Sequence, residues 1–167
     1  MKNCIKILGF ALLAEALTVF INLTLSFSGS AVVRILCSAC TIGILCGLMA
    51  QSGYSIGNAD RKAKKPFQFS RAFGLGLCGS APYFVLTIAL ILSKNGNLPD
   101  GYYRYYKLLC APFWAVCNLI SDGISSADVS MLEIVVLLVL CCLPCISLII
   151  AYQISIQGKA IEDVMYR

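Results

Sequence analysis

The sequence predicts an all-α, polytopic membrane protein with four transmembrane helices plus one interfacial or re-entrant helix. Hydrophobic residues make up 59% of the 167-residue chain, and its mean hydropathy is +0.85, which is far above the values of soluble domains. Four apolar runs are each long enough to cross a ~30 Å hydrocarbon core, and the charged residues collect between them. We therefore expect a single transmembrane domain, residues 1–167, with the lipid bilayer as its first partner.

Charge and residue types exclude several functions. The net charge is +5, but the cations stand at the ends of apolar runs, which favours lipid headgroups as their partners and predicts no nucleic acid binding. The chain has no histidine, so acid–base catalysis and metal binding by histidine are excluded. Most of the ten cysteines lie inside apolar runs, where cysteine behaves as a small hydrophobic residue. No cofactor is predicted.

The first apolar run covers residues 7–27, after Lys2 and Lys6, and ends at the small residues 28–31. This order imitates a secretory signal peptide. The run is about twenty residues long, whereas a signal peptide has an apolar core of roughly 7–15, and it contains Glu15. The pattern favours a retained helix that starts on the cytoplasmic side, with cleavage as the alternative.

The second run, residues 32–54, returns the chain to the cytoplasmic side. It contains Gly43-x-x-x-Gly47, and Gly53-x-x-x-Gly57 continues past its inner end. Small residues one helical turn apart allow another helix to approach closely. We expect these glycines to pack inside the protein; the alternative is an interface with a membrane protein partner through Gly43 and Gly47.

The basic segment at residues 60–71 sets the orientation of the other segments. It holds five of the thirteen Lys and Arg residues, and a short loop of this kind is retained in the cytoplasm. The third run, residues 72–93, then crosses outward, with a kink predicted at Pro82. Residues 74–79 match the dinucleotide-binding pattern G-x-G-x-x-G, but no strand precedes them, so the match is discounted.

The long connection at residues 94–130 contains the shorter helix. Its apolar part, residues 108–120, is about thirteen residues long, too short to span, and Pro112 and Asn118 interrupt it. Tyrosines precede this part and a tryptophan lies within it, as is typical of a membrane interface. We expect an interfacial or re-entrant helix on the outer side.

The last run, residues 131–156, crosses back, and Lys159 and Arg167 mark a cytoplasmic tail. Four spans place both termini on the same side. The predicted location is the cell membrane, multi-pass, with both termini cytoplasmic.

A polar stripe marks the first helix. Glu15 falls near its centre, where an ionised carboxylate costs at least a few kcal/mol, and Thr18 and Asn22 follow on the same face. One hypothesis is a polar path that binds a proton or small solute. The other is a protonated Glu15 that is hydrogen-bonded across the bundle to a group such as Ser80, Tyr83 or Thr87.

Two Cys-x-x-Cys pairs, Cys37 with Cys40 and Cys142 with Cys145, raise the question of a metal site. At 1.5 Å per residue, Cys37 lies about 8 Å inside the outer end of its helix and Cys142 about 16 Å inside its own. Thiolates so offset cannot share one tetrahedral ion with ~2.3 Å bonds. No metal is predicted.

The second half of the chain resembles a group of small, uncharacterised four-helix membrane proteins of Gram-positive bacteria. The most distinctive match is Ala-Pro-Phe-Trp at residues 111–114, and Gly96-x-Leu98-Pro99 and the tail at residues 158–166 add to it. The resemblance implies a four-helix fold and no activity.

The layout also resembles the quinone-linked thiol oxidases of bacterial membranes. Cys37 and Cys40 match the cysteine pair at the outer end of the second helix in that family, and Cys110 and Cys117 would match its second pair. Two features depart from the family: Arg34 precedes the first pair instead of following it, and Cys110 and Cys117 would stand about 10 Å apart on one helix, too far to bond.

We therefore expect an integral membrane protein without enzymatic chemistry, an accessory or scaffold subunit whose activity is unknown. A quinone-linked thiol oxidase with catalytic Cys37 and Cys40 is the alternative, and a small-solute permease is third. Symmetry between the two halves, which is the usual mark of a transporter, is not evident in the sequence.

Overall fold

The computed structural model describes residues 2–25, 30–121, 123 and 125–158. Small residues 28 and 29 and the predicted tail with Lys159 and Arg167 lie outside these ranges. The helices are α1 (Lys2–Leu25), α2 (Ala31–Lys62), α3 (Phe69–Lys94), α4 (Tyr102–Leu109), α5 (Trp114–Ile120) and α6 (Met131–Ile156), with short 3-10 turns at Ala111–Phe113 and Ser126–Asp128. The described residues contain no strand.

The predicted fold class is confirmed. Helices α1, α2, α3 and α6 are long and apolar enough to cross a membrane. The ends of α3 and α6 fall within three residues of the predicted ones. In this bundle α2 packs against α1, α5 and most extensively α6, while α3 packs against α6 and α1.

Helix α2 extends beyond its predicted inner end at residue 54, to Lys62. Its 32 residues make it about 48 Å long, well over the thickness of the hydrocarbon core. The basic segment at residues 60–71 is therefore not one loop. Its first three residues end α2, and its last three begin α3.

Close packing explains why α2 continues through its glycines. A Cβ on Gly53 would overlap the backbone of Leu148, and a Cβ on Gly57 would come within 2.8 Å of the Tyr152 carbonyl oxygen. The two glycines let the α2 and α6 backbones touch, and this packing stabilises the helix although glycine disfavours it. Their predicted role within the protein is confirmed.

The predicted shorter helix is present, but it covers Ala111–Ile120 instead of residues 108–120. Leu108 and Leu109 end α4, Cys110 leaves the helical region (φ −114°, ψ 51°), and a 3-10 turn precedes α5. Pro112 accounts for the break, because it has no N–H to donate and, in a continuous helix, its ring would clash with the carbonyl four residues earlier.

The two short helices form a re-entrant hairpin, residues 102–120, whose tip is residues 110–113. The tip contacts Glu15 of α1 and Thr41 of α2. Glu15 stands ten positions from the C-terminal end of α1 and Thr41 ten positions from the N-terminal end of α2, which is about 15 Å and half the thickness of the core. Of the two alternatives left open by the sequence, these contacts near the middle of α1 favour the re-entrant one.

Candidate intramembrane polar site

The hairpin tip places non-helical backbone at mid-bilayer depth, where each unsatisfied polar group is costly. Helix α1 supplies a partner for each of the two backbone groups of Ala111. Ala111 N donates to Glu15 Oε2 (3.1 Å), and Asn22 Nδ2 donates to Ala111 O (2.8 Å). Glu15 and Asn22 are seven residues apart, so both lie on the α1 face that meets the tip.

The remaining tip groups are also hydrogen-bonded. The Thr41 hydroxyl of α2 lies 2.9 Å from Pro112 O and 2.9 Å from Cys37 O of its own helix, so its proton is shared between the two carbonyls. Cys110 N donates to Tyr106 O (2.8 Å), and Phe113 N donates to Cys110 O (2.9 Å). The side chains of α1 and α2 thus supply hydrogen bonds to the backbone groups of the tip that have no partner within a helix.

Thr18, the third member of the predicted stripe, has a different role. Its side chain is buried, but its hydroxyl donates to the carbonyls of Ala14 (2.8 Å) and Glu15 (3.1 Å) in its own helix. Such a bond to the preceding turn leaves the hydroxyl without a role at the tip. The structure therefore brings Glu15 and Asn22 together at the tip and leaves Thr18 out.

One of the predicted partners of Glu15 is beside it and another is not. The Tyr83 hydroxyl lies next to the Glu15 carboxyl group and interacts with it. Thr87 instead donates to Tyr83 O (2.8 Å) and pairs with Tyr106 and Cys141. The second partner of Glu15 is the Ala111 backbone N–H, 96 residues away, and sequence spacing on α1 holds no signal for it.

Three buried side-chain oxygens have no hydrogen-bond partner among the described residues: Glu15 Oε1, Ser80 Oγ and Tyr83 OH. Glu15 and Tyr83 also line an apolar groove of about 530 Å³ between α1, α3 and the end of α4. The Glu15 and Tyr83 side chains therefore meet behind the wall of an apolar groove.

Cations and a tyrosine hold the outer end of α5. Arg34 donates to Asn118 O (3.3 Å), Tyr103 to Cys117 O (3.1 Å), and Lys107 to Ser121 O (2.9 Å). These carbonyls lie at or just beyond the last turn of α5, where positive charge interacts favourably with the helix dipole. The hairpin is thus fixed at both its tip and its outer end.

The cysteines are free thiols in every case. Cys37 is buried and lines a cavity of about 70 Å³ together with Arg34, whereas Cys40 is exposed. Cys110 and Cys117 are both fully buried, and they do not share one helix as predicted, because the break lies between them. Both thiols are closed off from solvent, which disfavours the thiolate form that a nucleophile needs.

The second Cys-x-x-Cys pair also has a packing environment. Cys145 is buried, and its Sγ fills the space where Gly76 lacks a Cβ. Cys142 is half-buried, and its thiol points to Leu138 O at 3.6 Å. Across the described ranges, no group of three or more His, Cys, Asp or Glu residues has the arrangement of a metal site.

A buried ionic cluster at the inner end was missed by the sequence analysis. Asp60 is 5% exposed, and it accepts hydrogen bonds from Arg71 (3.0 Å) and from the Tyr152 hydroxyl (3.0 Å). The cluster joins α2, α3 and α6. The basic residues around Asp60 were a signal for an ion pair, but Tyr152 stands in an apolar run and gave none.

Gly43 and Gly47 face away from the bundle, contrary to the packing role favoured for them. Both are exposed, and a Cβ on either would meet nothing within 4 Å. Gly53 and Gly57, by contrast, are buried against α6. Gly53 and Gly57 have the same spacing as Gly43 and Gly47, so the sequence could not show which pair packs inside the protein.

Comparison with protein-family models, curated proteins and solved structures finds no match. The resemblance centred on residues 111–114 therefore stays a prediction. In the structure these residues form the hairpin tip and the start of α5.

Proposed function

We propose that this protein is a membrane-embedded accessory or scaffold subunit, in which the intramembrane polar residues build the fold and carry no catalytic or transport chemistry. The observation that supports this is the closure of the hairpin tip. Glu15 and Asn22, which a solute path would need, are engaged with the backbone of Ala111, and Thr41 lies against Pro112 O.

A small-solute permease is less well supported for the same reason. A path across the membrane needs polar groups that can bind a solute at successive depths. Thr18 bonds to its own helix, and Asn22 and one oxygen of Glu15 are used at the tip. The Glu15 side chain lies behind the wall of an apolar groove, which suits a lipid-soluble molecule better than an ion.

The proposed topology places both termini and the inner end of α2 in the cytoplasm. Arg61 and Lys62 end α2, and Arg71 pairs with Asp60 at the same level. Lys6 of α1 donates to Ser55 near that end (2.8 Å), so the start of α1 lies there as well. Positive charge concentrated at one end supports a cytoplasmic location.

The surface through which a partner would bind is the outward face of α2 with Gly43 and Gly47. Lipid-exposed small residues one turn apart allow a second helix to pack at close range, and the gain in van der Waals contact is what drives helix association in lipid. Gln51 is exposed one turn further along this face, where its amide would hydrogen-bond to a partner helix.

Site-specific photo-crosslinking in native membranes tests the proposal. A photoreactive amino acid at position 47 should give one discrete heterologous adduct. The matched control is position 74, because Gly74 is also exposed with nothing within 4 Å of a Cβ. Gly43→Leu should abolish the adduct. Equal products from both positions, or lipid adducts alone, would refute the accessory role.

A thiol oxidase remains the second candidate because of one observation. Arg34 precedes the first cysteine pair in sequence, but it lines the same cavity as Cys37. A guanidinium near a cysteine stabilises the thiolate form. The burial of Cys110 and Cys117 counts against it, since an external thiol substrate has to reach the second pair.

A further inference from the structure

The turn that follows α2 has a lysine where a glycine is expected. Lys64 N donates to Arg61 O (2.9 Å) and Lys65 N donates to Asp60 O (3.0 Å), which is the pair of hydrogen bonds of a Schellman motif. The motif needs one residue with left-handed backbone, and glycine is the usual one. Here it is Lys64, with φ 54°, and no other non-glycine residue in the described ranges has a positive φ.

The cations of this turn lie at the surface. Lys62, Lys64 and Lys65 are exposed. The neighbouring acid, Asp60, is 5% exposed, and its carboxylate pairs with Arg71 (3.0 Å) and Lys65 (3.7 Å) inside the bundle end. The charge of Asp60 is therefore directed away from Lys62 and Lys64, whose ammonium groups can meet a ligand outside the protein.

Aromatic rings next to the turn set its depth in the membrane. Phe69 and Phe73 are 61% and 43% exposed at the start of α3, and their rings stack at 6.0 Å between centroids. Phe67 packs against Tyr152 at the same distance. Exposed apolar rings on a spanning helix favour hydrocarbon over water. The lysines, which come just before these rings in the chain, then lie at the depth of the lipid headgroups.

A structural role accounts for Lys62 but not for Lys64. A cation in the last turn of a helix interacts favourably with the helix dipole, and Lys62 is in that turn. Lys64 lies beyond it, and glycine at this position would adopt the same backbone without strain. Strained residues of this kind cluster at binding sites, so the side chain of Lys64 is what the turn retains.

We propose that the inner turn, residues 61–65, binds one anionic phospholipid, with the phosphate at Lys62 and Lys64 and the acyl chains against Phe69 and Phe73. Ammonium groups bind phosphate as point charges. A lipid supplies both a charge at headgroup depth and hydrocarbon beside the rings, whereas a soluble anion supplies only the charge. The site differs from the general attraction of basic loops to anionic membranes, because it requires one particular lysine. It lies beyond the accessory role and does not depend on it.

Native mass spectrometry of the purified protein in a neutral detergent tests this site. The probes are dioleoyl phosphatidylglycerol, which is anionic, and dioleoyl phosphatidylcholine, which has the same acyl chains and no net charge. The first phosphatidylglycerol should bind at least about tenfold more tightly than phosphatidylcholine. Lys64→Gly should weaken phosphatidylglycerol binding by about fivefold, the contribution of one lysine near an anionic headgroup, and leave phosphatidylcholine unchanged. Because glycine suits the left-handed backbone, this variant should fold at least as stably as wild type.

A matched variant and a soluble competitor complete the test. Arg104→Gln removes an exposed cation of α4, at the other end of the bundle, and should leave both affinities unchanged. Inorganic phosphate at millimolar concentration should not displace the lipid, because it has no acyl chains. Equal affinity of wild type for the two lipids, wild-type affinity in Lys64→Gly, or the same loss in Arg104→Gln would overturn the site. Displacement by inorganic phosphate would also overturn it and assign the turn to a soluble anion.

Discussion

Replacing Glu15 by leucine is the sharpest test of how the re-entrant hairpin is held. The substitution removes the only side-chain acceptor of Ala111 N. A buried donor left unsatisfied costs about 1–3 kcal/mol, whereas hydrogen bonds between membrane helices average only about 0.6 kcal/mol because alternatives form. Non-helical backbone at the centre of the bilayer has no such alternative, so we expect a loss of about 2 kcal/mol.

Glu15→Gln separates hydrogen bonding from charge. The glutamine side chain keeps a carbonyl oxygen for Ala111 N, so we expect the loss of stability to stay within about 0.5 kcal/mol. Thr18→Val is the control on the same face, because the Thr18 hydroxyl bonds only to its own helix. We expect a similarly small change for it.

The assay is reversible unfolding in mixed micelles with increasing sodium dodecyl sulfate, followed by the fluorescence of Trp114. This is the single tryptophan of the chain, and it directly follows the hairpin tip. Equal stability of Glu15→Leu and wild type would refute the structural role of the carboxyl group. Normal unfolding of Glu15→Gln together with loss of proton flux in liposomes would support the permease instead.

Three further predictions follow from the same contacts. Asp60→Asn removes the negative charge that pairs with Arg71. It should lower the unfolding free energy by about 2 kcal/mol in the same assay, less than for a fully buried pair, because Arg71 is partly exposed and retains part of its hydration. No change would contradict the role of the cluster. Reporter fusions after Arg167 should report a cytoplasmic C-terminus, and an external one would refute the four-span topology. Alkylation in detergent should label exposed Cys40 faster than buried Cys37, to the same extent with and without reductant; labelling only after reductant would support the thiol oxidase.

The four spans could be predicted from sequence because the requirement for crossing lipid is almost purely compositional. Any run of about twenty apolar residues meets it, whatever the neighbours are. The break in the hairpin had a local cause too, Pro112, and the interruption was recognised at the correct residue. The local sequence did not show that the hairpin tip packs into the bundle, because that packing depends on hydrogen-bonding partners in α1 and α2.

The polar site was predicted in part for a related reason. Helical spacing places Glu15 and Asn22 on one face, so their joint role was accessible from sequence. Their shared partner, Ala111, is a backbone group, and any residue type can offer one. The same limit applies to two glycines of α2. Gly47 faces outward and Gly57 contacts α6, and this difference depends on the path of α6, which the α2 sequence does not specify.

The hydrogen bonds of the tip also make the position of the hairpin depend on α1 and α2. The backbone groups of Ala111 and Pro112 are satisfied by Glu15, Asn22 and Thr41, which belong to helices that precede the hairpin in the chain. Without α1 and α2 in place, these groups would face hydrocarbon unpaired, and such backbone does not persist in lipid. The hairpin therefore enters the bundle only after its two partner helices are assembled, and any substitution that separates α1 from α2 has to release the hairpin as well.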